Sequence, residues 1–214
     1  AERAIHLRER AEAAERSRLR QVTELGIMTR KLRAAALTDA LTHLPNRRYA
    51  MQRLKQEWES LERNGRGLAV TIVDIDAFKR VNDKFGHDTG DAVLRTVALH
   101  LQAHTRGSDV LCRLGGEEFI VISVGGSPDA AMVAGERLRF AVESKVVQHG
   151  SFNEAVTVSL GVATATSEMH SFDDLIKAAD EALYQAKDAG RNRVHGAKGV
   201  VAPDAASQSE RRSA

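Results

Sequence analysis

Residues 112–121 read CRLGGEEFIV, and they place Gly115, Gly116, Glu117 and Glu118 between two runs of apolar β-formers. Adjacent glycines cost a strand conformational entropy, and adjacent carboxylates repel one another. A hairpin built only for packing has no use for both. Glycines at a hairpin tip supply the positive φ of a tight turn, and without a Cβ they let a ligand approach the backbone. Carboxylates gathered at a strand end are costly unless something positive neutralises them. A second acidic group stands in VDIDAFKRVND, where Asp74 and Asp76 fall at the C-terminal end of an apolar, β-branched run, LAVTIVDID. Residues two apart on a strand share a face. If that strand lies beside the hairpin, Asp74 and Glu117 converge. Two carboxylates and a backbone carbonyl then make an oxygen site suited to Mg²⁺, an ion commonly shared with substrate phosphates. Two unrelated acidic loops are the plainer alternative for either motif alone.

Basic and amide residues extend the pattern. Lys79 follows the first strand, and AKDAGRNR offers Lys187 and Arg191 four residues apart. If the helix persists that far, the two share a face and can grip phosphates. A cationic helix end near its own dipole explains that pair as well. NDKFGHDTGD supplies Asn82 and Asp91. A carboxylate can accept from N1–H and N2–H₂ of guanine while an amide pairs with N3 or O6, and adenine lacks that donor pair.

The elements that must carry these residues follow from periodicity. Residues 1–36 are rich in alanine, leucine, glutamate and arginine, without proline, and Ala4, Leu7, Ala11 and Ala14 fall at three- and four-residue spacing. Leu25, Met28, Leu32 and Ala35 repeat that spacing, while Leu19 and Val22 lie one residue out of phase. This predicts a helical stalk, a coiled coil with a slipped register; an amphipathic helix folded back on the domain is the alternative. Pro45 breaks the helix, and Asn46 caps the next one, predicted over about Arg48–Arg63. Next come the strand ending in DID, a short helix around AFKRVNDKFG, a longer one over GDAVLRTVALHLQAHT and the DVLCRL/EEFIVISV hairpin. A helix over 128–143, the strand AVTVSLGVATA and a serine-capped helix ending at a glycine complete the order. The hairpin forces an antiparallel pair, so the class is α+β. Residues 197–214 are expected to be a disordered tail.

Composition narrows the function class. A net charge of +2 with 28% charged residues is not that of a polybasic nucleic-acid binder. The single cysteine, Cys112, lies in an apolar run and suits a reducing compartment. No apolar run is long enough to span a bilayer. A cytoplasmic location is expected, with a longer parent protein free to be membrane-attached.

Taken together, GGEEF (Gly115–Phe119), DIDAFKRVNDKFGHDTGD (Asp74–Asp91), DALTHLPNRR (Asp39–Arg48) and AKDAGRNR resemble a GGDEF-domain diguanylate cyclase over about residues 37–196. The resemblance implies an adenylyl-cyclase-like palm with a central, mainly antiparallel sheet flanked by helices. It implies condensation of two GTP into cyclic di-GMP and two pyrophosphates with Mg²⁺ or Mn²⁺. By motif position, Asp74 and Glu117 resemble the metal carboxylates, with the Ile75 carbonyl beside them. Glu117 would also help deprotonate the attacking 3′-OH. Asn82 and Asp91 resemble the guanine readers, and His87 falls where the nucleotide pocket is often lined. Lys79, Lys187 and Arg191 resemble the phosphate ligands, with Gly115 and Gly116 against the nucleotide. His43 stands where a glycine is usual, which removes no ligand.

RGSD, Arg106–Asp109, falls at the family's spacing for an inhibitory product site, and Arg137 at the place of its second arginine. A surface ion pair is the plainer reading of so short a pattern. One palm holds one GTP, so two must face each other. The stalk is therefore expected to make a homodimer and to lead from an upstream sensor domain absent from this chain. A degenerate nucleotide-sensing module and a helical dimerisation module are the competing classes. The intact GGEEF and Asp74 argue against the first, and the stalk explains none of the four motifs.

Overall fold

A computed structural model describes residues 15, 18–26, 28 and 36–197. The chain divides into two units, 1–38 and 39–214. In the first, residues 18–26 are helical, and Leu19, Val22, Leu25 and Met28 are all exposed. The other stalk positions read from the sequence lie outside the described residues, apart from residues 15 and 36, as does the tail beyond residue 197.

The second unit is built on strand β1 (Leu68–Ile75), all eight residues of which are buried. It pairs antiparallel with β3 (Glu118–Val124) on one side and β6 (Val158–Thr164) on the other. The hairpin strand β2 (Val110–Gly115) forms one edge, and the short parallel strand β7 (Val194–Gly196) forms the other, giving the order β2-β3-β1-β6-β7. The sheet is thus mainly antiparallel, as the hairpin required.

Strand alternation divides the core into two layers. Val73, Ile75, Phe119 and Val121 face α3 (His87–His104) and α4 (Pro128–Glu143). Val70, Ile72, Ile120 and Ile122 face α1 (Arg47–Asn64) and α5 (Phe172–Asp188). Asp74 has the parity of Val70 and Ile72, so the same alternation directs it to the α5 side. Helix α2 (Phe78–Phe85) joins β1 to α3.

The caps read from the sequence are present. Asn46 accepts from the Tyr49 N–H, and Ser171 forms a capping box with Asp174. Two elements differ from the expectation. A separate two-stranded sheet, β4 (Val146–His149) with β5 (Phe152–Ala155), follows α4, and β7 extends the main sheet. These strands are three or four residues long, too short for alternation to register. Phe152 anchors the small sheet by meeting Phe85 edge-on at 5.1 Å between centroids.

Candidate active site

The hairpin tip is a tight turn between Gly115, where β2 ends, and Glu118, where β3 begins. Gly115 and Gly116 have φ of 142° and 53°, values that a side chain disfavours. Arg113 holds this turn: its Nε and Nη2 donate to the Gly116 carbonyl at 3.2 and 2.8 Å, and its Nη1 donates to Asp39 Oδ1 at 2.9 Å. Burial raises the Asp39 carboxyl, but hydrogen bonds from Thr42 and Arg113 outweigh it and leave the group below its ordinary range. Neither Asp39 nor Arg113 stood out as a site residue in the sequence. The only signal was an arginine two positions before the glycines.

The end of β1 meets this turn. The Ile75 N–H donates to the Glu117 carbonyl at 3.3 Å, and Asp74 pairs with Glu118 in the strand register. Lys187, in the last turn of α5, places Nζ 2.8 Å from Asp74 Oδ2. Asp74 is only 6% exposed. Burial raises its pKa most; Lys187 opposes this, and the charges of Glu117 and Asp76 add to the rise. Glu118 is also raised, by partial burial and then by Asp74, though its side chain is largely open to solvent. One lysine therefore does not balance the negative charge collected here. Among the described residues no group of three or more His, Cys, Asp or Glu side chains forms a ready-made cage. The set that remains, two carboxylates with surplus negative charge, is the chemistry that a small divalent cation shared with phosphates fits.

The guanine-reading candidates lie at the α2–α3 elbow. A Cβ at Gly90 would stand 1.9 Å from Asn82 Oδ1, so the glycine makes room for that amide one residue before Asp91. Asp91 is half-exposed, with Arg95 3.8 Å away. His87 and Lys79 are exposed on the first turns of α3 and α2.

Arg191 requires a correction. Helix α5 ends at Asp188, and Arg191 and Asn192 both take left-handed φ, 61° and 47°. Lys187 and Arg191 therefore do not share a helix face. Arg191 instead lines a cavity of about 620 Å³ with Asp76, Arg80, Lys84, Phe85 and Phe152. Asp76 also departs from the sequence reading. The strand ends one residue before it, and its carboxylate accepts from Thr157 Oγ1 at 2.7 Å, Ser159 Oγ at 2.6 Å and the Asn192 N–H at 3.1 Å.

At the far end of β2, the Asp109 N–H donates to the Arg106 carbonyl at 2.9 Å. Both residues line a smaller cavity of about 300 Å³ with Leu44 and Pro45. Arg137 donates from Nε to the His104 carbonyl at 3.0 Å, two residues before Arg106. The six residues of β2 separate this group from the hairpin turn by roughly 20 Å.

Residues 36–193 match the family described as diguanylate cyclase, GGDEF domain. The chain belongs to the GGDEF family. It is 43% identical over 163 residues to the response regulator PleD of Caulobacter vibrioides, a match covering 75% of this chain and 36% of that protein. It is 37% identical over 173 residues to diguanylate cyclase A of Treponema denticola, covering 79% of this chain and 47% of the other. The chain thus spans less than half the length of these relatives. Among solved structures, the coiled coil and GGDEF domain of DgcB from Caulobacter crescentus, in complex with c-di-GMP, superposes with a TM-score of 0.82 at 33% identity. That match covers 87% of this chain and 98% of that one.

Proposed function

We propose that this chain is a diguanylate cyclase that condenses two GTP into cyclic di-GMP and two pyrophosphates across a pair of facing palms. The observation that carries the reading is the buried Asp74, held by Lys187 at 2.8 Å and set beside the Glu117–Glu118 turn by the β1–β3 register. Asp74, Glu117 and the Ile75 carbonyl would hold Mg²⁺ or Mn²⁺, which when bound offsets triphosphate charge and acidifies a coordinated hydroxyl. Lys187, Lys79 and Arg191 bind the phosphates. Gly115 and Gly116 leave the turn open for the nucleotide to lie against the backbone. Asn82 and Asp91 read guanine, with His87 at the pocket rim. Glu117, half-buried at the turn, helps take the proton from the attacking 3′-OH.

Each palm supplies one activated GTP, so both phosphodiester bonds require a homodimer. The exposed Leu19, Val22, Leu25 and Met28 on helical residues 18–26 support a coiled coil as the means of pairing. Residues 1–36 form that stalk and 37–196 the catalytic domain. An upstream sensor would set the angle between palms through the stalk. Among the described residues no helix is long and apolar enough to cross a membrane. A domain that consumes GTP would work in the cytoplasm, where GTP is supplied. Cyclic di-GMP bound at Arg106, Asp109 and Arg137 would restrain the palms from facing each other.

The test is to incubate the chain with GTP and Mg²⁺ and to look for cyclic di-GMP, with Glu117→Gln as control. Product from the parent and none from a folded Glu117→Gln is expected. GTP binding without turnover in both would instead make the chain a sensing module.

A further inference from the structure

Four non-glycine residues among those described have positive φ: His43, Ala77, Arg191 and Asn192. Three of them meet at one place. Ala77 follows Asp76, and the carboxylate of Asp76 accepts from the backbone N–H of Asn192. Strained backbone persists only where its surroundings over-determine it, and here the restraints are visible. Asn192 Nδ2 donates to Glu143 Oε1 at 2.7 Å, and Asn192 Oδ1 accepts from Arg139 Nη1 at 3.0 Å. Arg139 Nη1 in turn donates to Glu143 Oε2 at 2.6 Å, and its Nε donates to Glu136 at 2.8 Å. The amide of Asn192 is thereby held at both ends by the last turns of α4, while its own N–H is held by the residue just past β1. Its neighbour Arg191 points no hydrogen bond or ion pair from its guanidinium at any described residue, and it lines the cavity beside Asp76.

We propose that Asn192 is a positioning residue that fixes Arg191 for the nucleotide phosphates, with Asp76 and the Arg139–Glu143 pair as its two anchors. The inference rests on the phosphate role given to Arg191 above. It assigns Asp76 a purpose other than metal binding, although Asp76 stands two residues from Asp74 in one acidic motif. Among the described residues its carboxylate accepts from two hydroxyls and an N–H, which fasten the strand end of β1 to the start of β6 and to the Arg191 loop. A free guanidinium on a loop would lose side-chain and backbone entropy on gripping a phosphate. A guanidinium whose backbone is already pinned loses less, and the difference appears as affinity.

The experiment is a double-mutant cycle read by calorimetry, with Mg²⁺ and guanosine 5′-(α,β-methylene)triphosphate, which binds but cannot be cyclised. Asn192→Ala is expected to weaken binding about tenfold, and Arg191→Ala by at least as much. The double variant should bind no more weakly than Arg191→Ala alone, because a positioning residue has nothing left to position. Multiplied losses in the double variant, or unchanged binding in Asn192→Ala, would overturn the proposal. If Arg191→Ala itself binds normally, the phosphate role of Arg191 fails first and the inference with it. Asn192→Gly, which accepts the left-handed φ while losing both side-chain anchors, replaces the alanine variant if the latter does not fold. Asp76→Asn provides the remaining arm. An amide oxygen still accepts from the Asn192 N–H, so binding within about twofold of the parent is expected, whereas a large loss would show that the negative charge itself is needed and refute its anchoring role.

Discussion

Gly161→Ala tests whether α5 sits against the sheet as closely as the site requires. Gly161 pairs with Ile72 on the face covered by α5. A Cβ there would lie 2.1 Å from the Ala179 carbonyl oxygen, 2.3 Å from Leu183 N and 2.8 Å from Leu183 Cα. All three atoms are backbone, so no side chain can swing away. Reaching 3.4 Å, where ordinary contact begins, moves the helix by about 1.3 Å. Forcing a methyl group into a filled core costs about 1–3 kcal/mol, and a rigid backbone neighbour puts this site at the upper end. Replacing a strand glycine by alanine returns roughly 0.5–1 kcal/mol. A net loss of about 2 kcal/mol is expected, read as a lower urea midpoint at unchanged slope. The same displacement acts on Lys187 at the far end of α5. Added in full to its 2.8 Å bond with Asp74, it would break that contact, so KM for GTP should rise even at temperatures where the variant is fully folded. A loss below about 0.5 kcal/mol with unchanged KM would refute this account of how the helix presents the lysine.

His43→Gly should stabilise the fold by about 0.5 kcal/mol in denaturant titrations and leave turnover unchanged. The histidine is held at φ 58°, where a side chain costs roughly 1–2 kcal/mol and glycine costs only its greater freedom when unfolded. Asp39→Asn should cost about 1 kcal/mol at pH 7, a figure discounted for partial solvent screening. The folded carboxyl titrates below its ordinary value, so its contribution is complete above that value and disappears as pH falls through the folded pKa. The parent and Asp39→Asn stability curves should therefore converge in strong acid, and a gap that persists there would exclude an ionic role. Arg106→Ala should relieve inhibition by added cyclic di-GMP with initial turnover largely retained, because Arg106 lies the length of β2 from the hairpin turn. Progress curves that still bend with accumulating product would return RGSD to an ordinary surface ion pair.

The sequence made the chemistry legible where residue type and spacing suffice. The acidic strand end and the glycine turn were readable as a pair because each is unfavourable alone and sensible together. The helix caps at Asn46 and Ser171 were readable because capping is local. What escaped depends on long-range geometry. Asp39 and Arg113 are 74 residues apart in the chain, and nothing in the local sequence around either one shows that they pair. Asp76 looked like a partner of Asp74 because strand parity was extended one residue too far. The four-residue spacing of Lys187 and Arg191 was helical only on the condition that the helix ran on past its glycine, and the helix stops at Asp188, so Arg191 falls on a left-handed turn instead. His43 appeared harmless because ligand chemistry was the criterion, whereas its cost lies in φ.

Chain order also bears on how the protein is made. The central strand β1 is complete by residue 75, but its partner β6 is not finished until residue 164, and the lysine that faces Asp74 follows at 187. During synthesis at ~5–20 residues per second, the nascent chain therefore carries an apolar strand with an open edge and an uncompensated acidic end for several seconds. Asn192 arrives later still, within a few residues of the last strand. A ribosome that stops before residue 191 releases a chain with every acidic residue of the candidate site but neither Arg191 nor its anchor, so premature termination there is expected to yield aggregation-prone material rather than an uncontrolled enzyme.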